Sequence, residues 1–340
     1  MQTGHHSFGT LLAIALAVPA FATPVGAQDS TPTRQPGENP IVTEVFTADP
    51  APIVHDGRVY VYVGRDDAGP GEMFNMPEWL VFSSDDMRNW QAHGPVMAPT
   101  DFTWAARDAW ASEVVEKDGR FYFYVAVEHD ETHPGKAIGV AVSDNPTGPF
   151  VDARGSALVT NDMTPEAEHS WDDIDPTAFI DDDGTAWLMW GNGTLYQARL
   201  ASNMTELAGP IRTLEVEHFE EGPWLHKRGD WYYLTYAGID PAVSDQEQIH
   251  YAMSRSIEGP WEYQGMLTGP AENSFTIHPG IVEFQGQWYF FYHNATLQIG
   301  EREGALGRRS ARVEYLYYNP DGTIRPIEQT DAGVSLPPEN

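Results

Sequence analysis

Hydrophobic residues in this chain come in short, aromatic-rich blocks, each opened by a polar residue and a glycine. Asp56-Gly-Arg-Val-Tyr-Val-Tyr-Val63 returns as Asp118-Gly-Arg-Phe-Tyr-Phe-Tyr-Val125, as Asp183-Gly-Thr-Ala-Trp-Leu-Met-Trp190, as Arg228-Gly-Asp-Trp-Tyr-Tyr-Leu-Thr235 and as Gln285-Gly-Gln-Trp-Tyr-Phe-Phe-Tyr292. Glycine takes positive φ without steric cost, so each block reads as a tight hairpin turn followed by a strand. The third repeat is the most legible. It predicts a strand over residues 177–180, a turn at Asp182-Asp183-Gly184 and a second strand over residues 186–190. Gly57, Gly119, Gly184, Gly229 and Gly286 stand 45 to 65 residues apart, and Gly94-Pro95, Gly148-Pro149, Gly209-Pro210 and Gly259-Pro260 follow the first four. Each unit then holds about four short strands rich in Tyr, Phe, Val and Trp, and helical periodicity is almost absent. Units of this length point to an all-β fold, a five-bladed β-propeller. Two stacked sandwich domains are the alternative, and the even placement of the hairpins argues against them.

In a propeller the innermost strands line a central channel, so residues just before them converge from distant parts of the chain. Thr47-Ala-Asp49-Pro stands there in the first unit, Asp175-Pro-Thr in the third, Glu220-Glu221-Gly-Pro in the fourth and Ile277-His278-Pro-Gly in the fifth. The second unit places Ala109-Trp110-Ala-Ser-Glu113 in the same slot. Asp-Pro on its own is a common turn opener. Its recurrence in one slot makes a shared carboxylate site the sharper reading.

Composition narrows the partners. A formal charge of −31, with Lys117, Lys136 and Lys227 the only lysines, excludes nucleic acid and anionic membranes as favoured ligands and suits neutral ones such as sugars. It fits a salt-adapted protein and an ordinary acidic exported protein equally well. Residues 1–27 read as a secretory signal, with an apolar run over 8–22 too short to span a bilayer and a small-residue pattern at Val25-Gly26-Ala27. The start of that segment lacks Lys and Arg. The signal implies a secreted or periplasmic protein, and the absence of cysteine leaves stability to the core alone. Residues 28–40 are polar and proline-rich and predict a disordered lead-in, with one catalytic propeller over 41–330 and a C-terminal tail over 331–340.

Taken together, these motifs resemble glycoside hydrolase family 43. The markers are Asp49-Pro50 on the first blade, Asp175-Pro-Thr before an Asp-Asp-Gly hairpin, Glu221-Gly-Pro on the fourth blade, and the closing Tyr292-His293-Asn294. The resemblance implies inverting hydrolysis of pentose-containing plant cell-wall polysaccharides or oligosaccharides, by a β-xylosidase or α-L-arabinofuranosidase. Endo-arabinanase is the nearest alternative, and a non-catalytic sugar-binding propeller the alternative from another class. By resemblance Asp49 is the base, Glu221 the acid, and Asp175 the group that tunes and orients the acid. Inverting glycosidases need such a pair across the sugar. Glu220 competes for the acid. The resemblance also implies that His278 helps to hold a calcium or sodium ion on the axis, mostly through water, with no organic cofactor. It assigns a pocket arginine to Arg309, with Arg308 as the other candidate. Phe46, Phe74, Trp79, Trp104 and Trp110 are candidate sugar-stacking aromatics, of which Trp110 is favoured and Phe46 is the other substrate-binding choice. Segments 71–79 and 128–135 are long enough to wall off one end of the site, which would favour release of terminal sugars.

Overall fold

The turn chemistry explains how the chain folds into hairpins. In the computed structural model, which describes residues 1, 4, 34–164 and 169–339, three of the five turns have both central residues at positive φ. These are Asp56-Gly57, Asp118-Gly119 and Gln285-Gly286. Such turns match the right-handed twist of the strands that they join. The expected signal at residues 1–27 lies outside the described residues, apart from Met1 and Gly4.

Each hairpin belongs to one blade of a five-bladed β-propeller. The innermost strands are Thr47–His55, Ser112–Lys117, Thr177–Ile180, Phe219–Arg228 and Gly280–Phe284. Each packs against the next in chain order, and the last packs against the first, which closes the ring. The third hairpin forms with the bounds expected, Thr177–Ile180 paired antiparallel with Ala186–Trp190. Strands deep in each blade are buried almost throughout, as in Ala186–Trp190 and Gln248–Ser254. They sit between neighbouring blades, so both faces must be apolar, and a run without alternation is the consequence. Trp79, Phe123, Trp190, Tyr233 and Phe290 are among the large side chains packed between blades. Among the described residues the helical elements are two short 3-10 turns, Pro99–Asp101 and Asn161–Met163.

Two blades depart from the four strands expected. The second has six, because short strands at Ala105–Arg107, Val151–Asp152 and Val159–Thr160 add to its sheet. The fifth has three of its own, ending in Ser310–Leu316. The segment before the first blade runs alongside that last strand. Ile41 N–H donates to the Ala311 carbonyl, Thr47 N–H to the Arg309 carbonyl, and Val313 N–H to the Asn39 side chain. An N-terminal stretch thus occupies the place of a fourth strand.

This pairing moves the limits of the ordered unit. Among the described residues, 35–339 belong to one compact unit, which takes in residues on both sides of the expected propeller. Asn39, inside the expected lead-in, is buried and its amide donates to Val313, Glu314 and Thr330. Val334, inside the expected tail, is buried beside Gly37, whose carbonyl accepts its N–H. Proline and polar residues gave residues 35–40 the composition of a linker, but their polar groups have partners across the fold.

Candidate active site

All five blades contribute to one pocket on the propeller axis. Its lining includes Asp49, Pro50, Ala51, Ala111, Ser112, Asp175, Pro176, Gly222, Pro223, Trp224, His278 and Pro279. Proline cannot donate to a sheet ladder and is confined to edges and bulges. The inner strands accordingly bulge between Ala48 and Ala51 and between Glu221 and Trp224, where Asp49-Pro50 and Gly222-Pro223 sit. Asp49 and Asp175 both have positive φ, 55° and 57°. For residues with a side chain this is an unfavourable conformation, and such strain gathers at functional sites. In the fourth blade the equivalent turn falls on Gly222, at φ 57°, and a Cβ there would lie 3.2 Å from the His278 ring.

His278 is the hub. Its Nε2 lies 2.9 Å from Glu221 Oε1 and 3.6 Å from Asp175 Oδ2, and its Nδ1 lies 3.4 Å from Asp49 Oδ1. Burial alone would discharge this imidazole, but the carboxylates of Asp175, Asp49 and Glu221 outweigh it and raise its pKa to about 10. His278 is therefore an imidazolium inside a ring of carboxyl groups. His293 is its opposite. Asp49 N–H donates to His293 Nδ1 at 3.2 Å, and His293 Nε2 lies 3.0 Å from the Thr276 carbonyl. Burial, Arg309 and His278 hold its pKa well below the ordinary value. The 3.3 Å approach of His293 Nδ1 to Asp49 Oδ1 is thus not an ion pair.

Arg309 completes the surroundings of Asp49. Its Nη1 donates to Asp49 Oδ1 at 3.3 Å and to Thr276 Oγ1 at 3.1 Å, and its Nε donates to Asp66 Oδ2 at 2.8 Å. Asp66 is fully buried and also accepts the Arg309 N–H. Arg308 instead donates to the carbonyls of Glu303 and Ala68. Glu221 is buried with Asn192 Nδ2 on its Oε2 at 2.7 Å, while its neighbour Glu220 is half-buried. Successive strand residues point to opposite faces, so only one of the pair can face His278.

The buried carboxyl groups are shifted in opposite directions. Burial, reinforced by Glu221 and Asp49, raises Asp175 to about 8, although His278 opposes the shift. Burial also pushes Glu221 upward, but the His278 hydrogen bond and charge, with bonds from Asn192 and Glu247, bring it below the ordinary range. The repulsion between these carboxyl groups therefore falls on Asp175 in the resting pocket. Burial and the Glu221 charge hold the Glu247 carboxyl well above its ordinary value, and it accepts the Ile277 N–H at 2.9 Å. Glu247 follows a turn with no distinctive motif, and nothing in the sequence pattern singled it out.

The other candidates distribute unevenly. Phe46 is buried, and the Arg302 guanidinium lies 5.3 Å over its ring, so it offers no open face to a sugar, in contrast to expectation. Trp110 is half-buried, with Lys136 Nζ 3.5 Å over its ring and Phe74 edge-on at 5.8 Å. Trp79 and Trp104 are core. Glu113 turns away from the pocket. It is buried, accepts from Ala178 N–H at 3.3 Å, and is raised to about 8 by burial.

Asp175, Glu221 and His278 offer donor atoms that all lie within 4.8 Å of one another, which suits a single cation. A metal ligand must be deprotonated, so a cation held directly there would compete with the proton on His278.

Two carboxyl groups facing each other past an imidazolium, with a third carboxyl and a guanidinium alongside, form an acid–base site of the kind that hydrolases use. The comparisons make the class specific. The model of the glycosyl hydrolases family 43 matches residues 37–324. A xylosidase/arabinosidase of Bacteroides ovatus is 31% identical over 332 residues, covering 84% of this chain and 96% of the relative. A xylosidase/arabinosidase of Humicola insolens is 30% identical, covering 84% and 98%. A family 43 β-xylosidase/α-arabinofuranosidase from a compost metagenome, solved with xylotriose in a calcium-free form, superposes with a TM-score of 0.74 at 28% identity, covering 86% and 98%. The chain belongs to glycoside hydrolase family 43, and it is a glycoside hydrolase.

Proposed function

We propose that this pocket releases terminal β-xylose or α-L-arabinofuranose from xylan, arabinoxylan or arabinan fragments, with inversion at the anomeric carbon. The observation that carries this reading is the placement of Asp49 and Glu221 on opposite nitrogens of one imidazole, at 3.4 and 2.9 Å. A ring between them supports the wider spacing of inverting pairs, about 6.5–9.5 Å, over the 5–5.5 Å of retaining ones. Asp49, bonded to Arg309, takes the proton of the attacking water. Glu221 gives a proton to the leaving oxygen. For this Glu221 must itself be protonated, and both Asp175, raised by burial, and His278, 2.9 Å away, stand beside it as proton donors.

Exo action is supported by the approach of the segment over 71–79 to Arg309, which bonds Asp49. Phe74, from that segment, lies 5.0 Å from the Arg309 guanidinium and edge-on to Trp110. Export of the mature enzyme, with cleavage after Ala27, belongs to the same reading. N-terminal sequencing of protein recovered outside the cytoplasm checks it. The calcium or sodium ion implied by the resemblance would be held at His278, beside Asp175 and Glu221, and would supply positive charge among the carboxyl groups. Calcium added to EDTA-treated protein is then expected to raise its melting temperature, and an unchanged value would leave His278 as the balancing charge. The activity itself is tested by assaying 4-nitrophenyl β-D-xyloside and α-L-arabinofuranoside side by side, with a β-glucoside as control. Release from either pentoside but not the glucoside is expected, and release from neither would sink the assignment.

A further inference from the structure

The second strand of the third hairpin ends at Trp190, and the chain leaves it as Gly191-Asn192-Gly193. Both glycines have positive φ, 135° and 70°, and a Cβ on Gly191 would collide with the Thr194 carbonyl oxygen. Only glycine takes such a turn without strain. The turn frees three consecutive N–H groups from any sheet ladder, and each must find an acceptor elsewhere. Gly191 N–H donates to the Ile174 carbonyl at 2.9 Å, Asn192 N–H to the Asp172 carbonyl at 3.0 Å, and Gly193 N–H to the Glu220 carbonyl at 2.7 Å.

These acceptors lead directly into the site. Ile174 immediately precedes Asp175, and Glu220 immediately precedes Glu221. The turn is therefore a clip across the backbone that carries the carboxyl groups of the third and fourth blades. Its middle side chain reaches further in. Asn192 is buried, and its Nδ2 donates to Glu221 Oε2 at 2.7 Å. His278 Nε2 lies 2.9 Å from the other oxygen, Oε1. Each oxygen of Glu221 thus has its own fixed neighbour, and the two neighbours differ in kind. An imidazole gains and loses protons, whereas the amide of asparagine stays a donor throughout. Asn192 can hold Oε2 whether or not Glu221 carries its proton, and a second lone pair on that oxygen remains for the proton.

The last torsion of a glutamate side chain is soft, so a carboxyl group held at one oxygen alone can turn about its bond. Proton transfer to a leaving oxygen needs the donor aligned with it, and small misplacements are costly. Resting on the proposed role of Glu221 as acid, we infer that Asn192 is a positioning residue for this step. Its amide, set by the Gly191–Gly193 clip, fixes the plane of the Glu221 carboxyl group so that the proton faces the leaving oxygen. Asn192 acts through Glu221 and not on the sugar. Substrates that leave without a proton have little need of it.

The test uses Asn192→Leu, which keeps the volume and removes the donor, and Asn192→Ala, with Glu221→Ala beside them. The substrates are the phenyl and 2,4-dinitrophenyl glycosides of whichever pentose the enzyme releases. Both leaving groups are single aromatic rings, but only the phenyl one needs a proton to depart. On the phenyl glycoside each Asn192 variant should lose roughly ten- to a hundredfold in kcat, with KM little changed. On the dinitrophenyl glycoside the loss should stay under about threefold, which also shows that the rest of the site is folded. Equal losses on the two substrates, or none on the phenyl glycoside, would overturn the positioning role while the contrast in Glu221→Ala leaves the acid in place. If Glu221→Ala shows no contrast either, the role of Glu221 fails, and this inference with it.

Discussion

Asp49→Ala is expected to lose activity on every substrate, by roughly the 10²–10⁴-fold that a positioned general base contributes. No other carboxyl group can take its place, since Asp175 and Glu221 lie on the far side of the His278 ring and Asp66, the other partner of Arg309, is fully buried. Glu221→Ala should behave differently. A leaving group that needs no protonation bypasses the acid, so this variant should recover much of its rate on a 2,4-dinitrophenyl glycoside while remaining poor on oligosaccharides. Steady-state kinetics of both variants on both substrates reads the contrast. Equal losses for Glu221→Ala on the two substrates would remove its role as acid.

The largest effect on stability is expected at Arg309. Its guanidinium sits fully buried between Asp49 and Asp66, and Asp66 has no exposure to water. Arg309→Met leaves that carboxyl group with only a backbone donor. Removing one partner of a buried pair typically costs about 3–5 kcal/mol, because the remaining charge is uncompensated. Burial already pushes Asp66 upward against the pull of Arg309, so in the variant it should take up a proton, and the stability loss should ease at acidic pH. The double variant Arg309→Met with Asp66→Asn should regain much of the stability but none of the activity, because Asp49 still lacks its cation. Urea denaturation of the two variants measures this. A single variant as stable as the wild type would show that the pair contributes little.

The parts of this molecule legible in the sequence were those repeated along it. Five glycine turns gave the blades, and the slot before each inner strand gave Asp49, Asp175, Glu221 and His278, which the structure brings together around one imidazole. The Asp-Asp-Gly hairpin was readable to the residue because a positive-φ glycine fixes where the chain reverses. What escaped was set by contacts across blades, which carry no period. Asn192, Glu247 and Asp66 lie on loops, and only the assembled ring places them behind Glu221 and Arg309. The same holds for Asn39, a polar residue in a proline-rich stretch whose hydrogen-bonding partners lie about 275 positions away. Phe46 misled because an aromatic residue next to a catalytic motif serves equally well as core or as platform. Arg302 over its ring decides for the core.

The central claim is that Asp49 and Glu221 act across the sugar on a water and a leaving oxygen. Proton NMR of the first sugar released from a β-xyloside, recorded before mutarotation, tests it most directly. Inversion predicts that α-xylose forms first and the β anomer grows in later. If β-xylose comes first, the configuration is retained, the released sugar has passed through a covalent intermediate, and Asp49 is a nucleophile instead of a base.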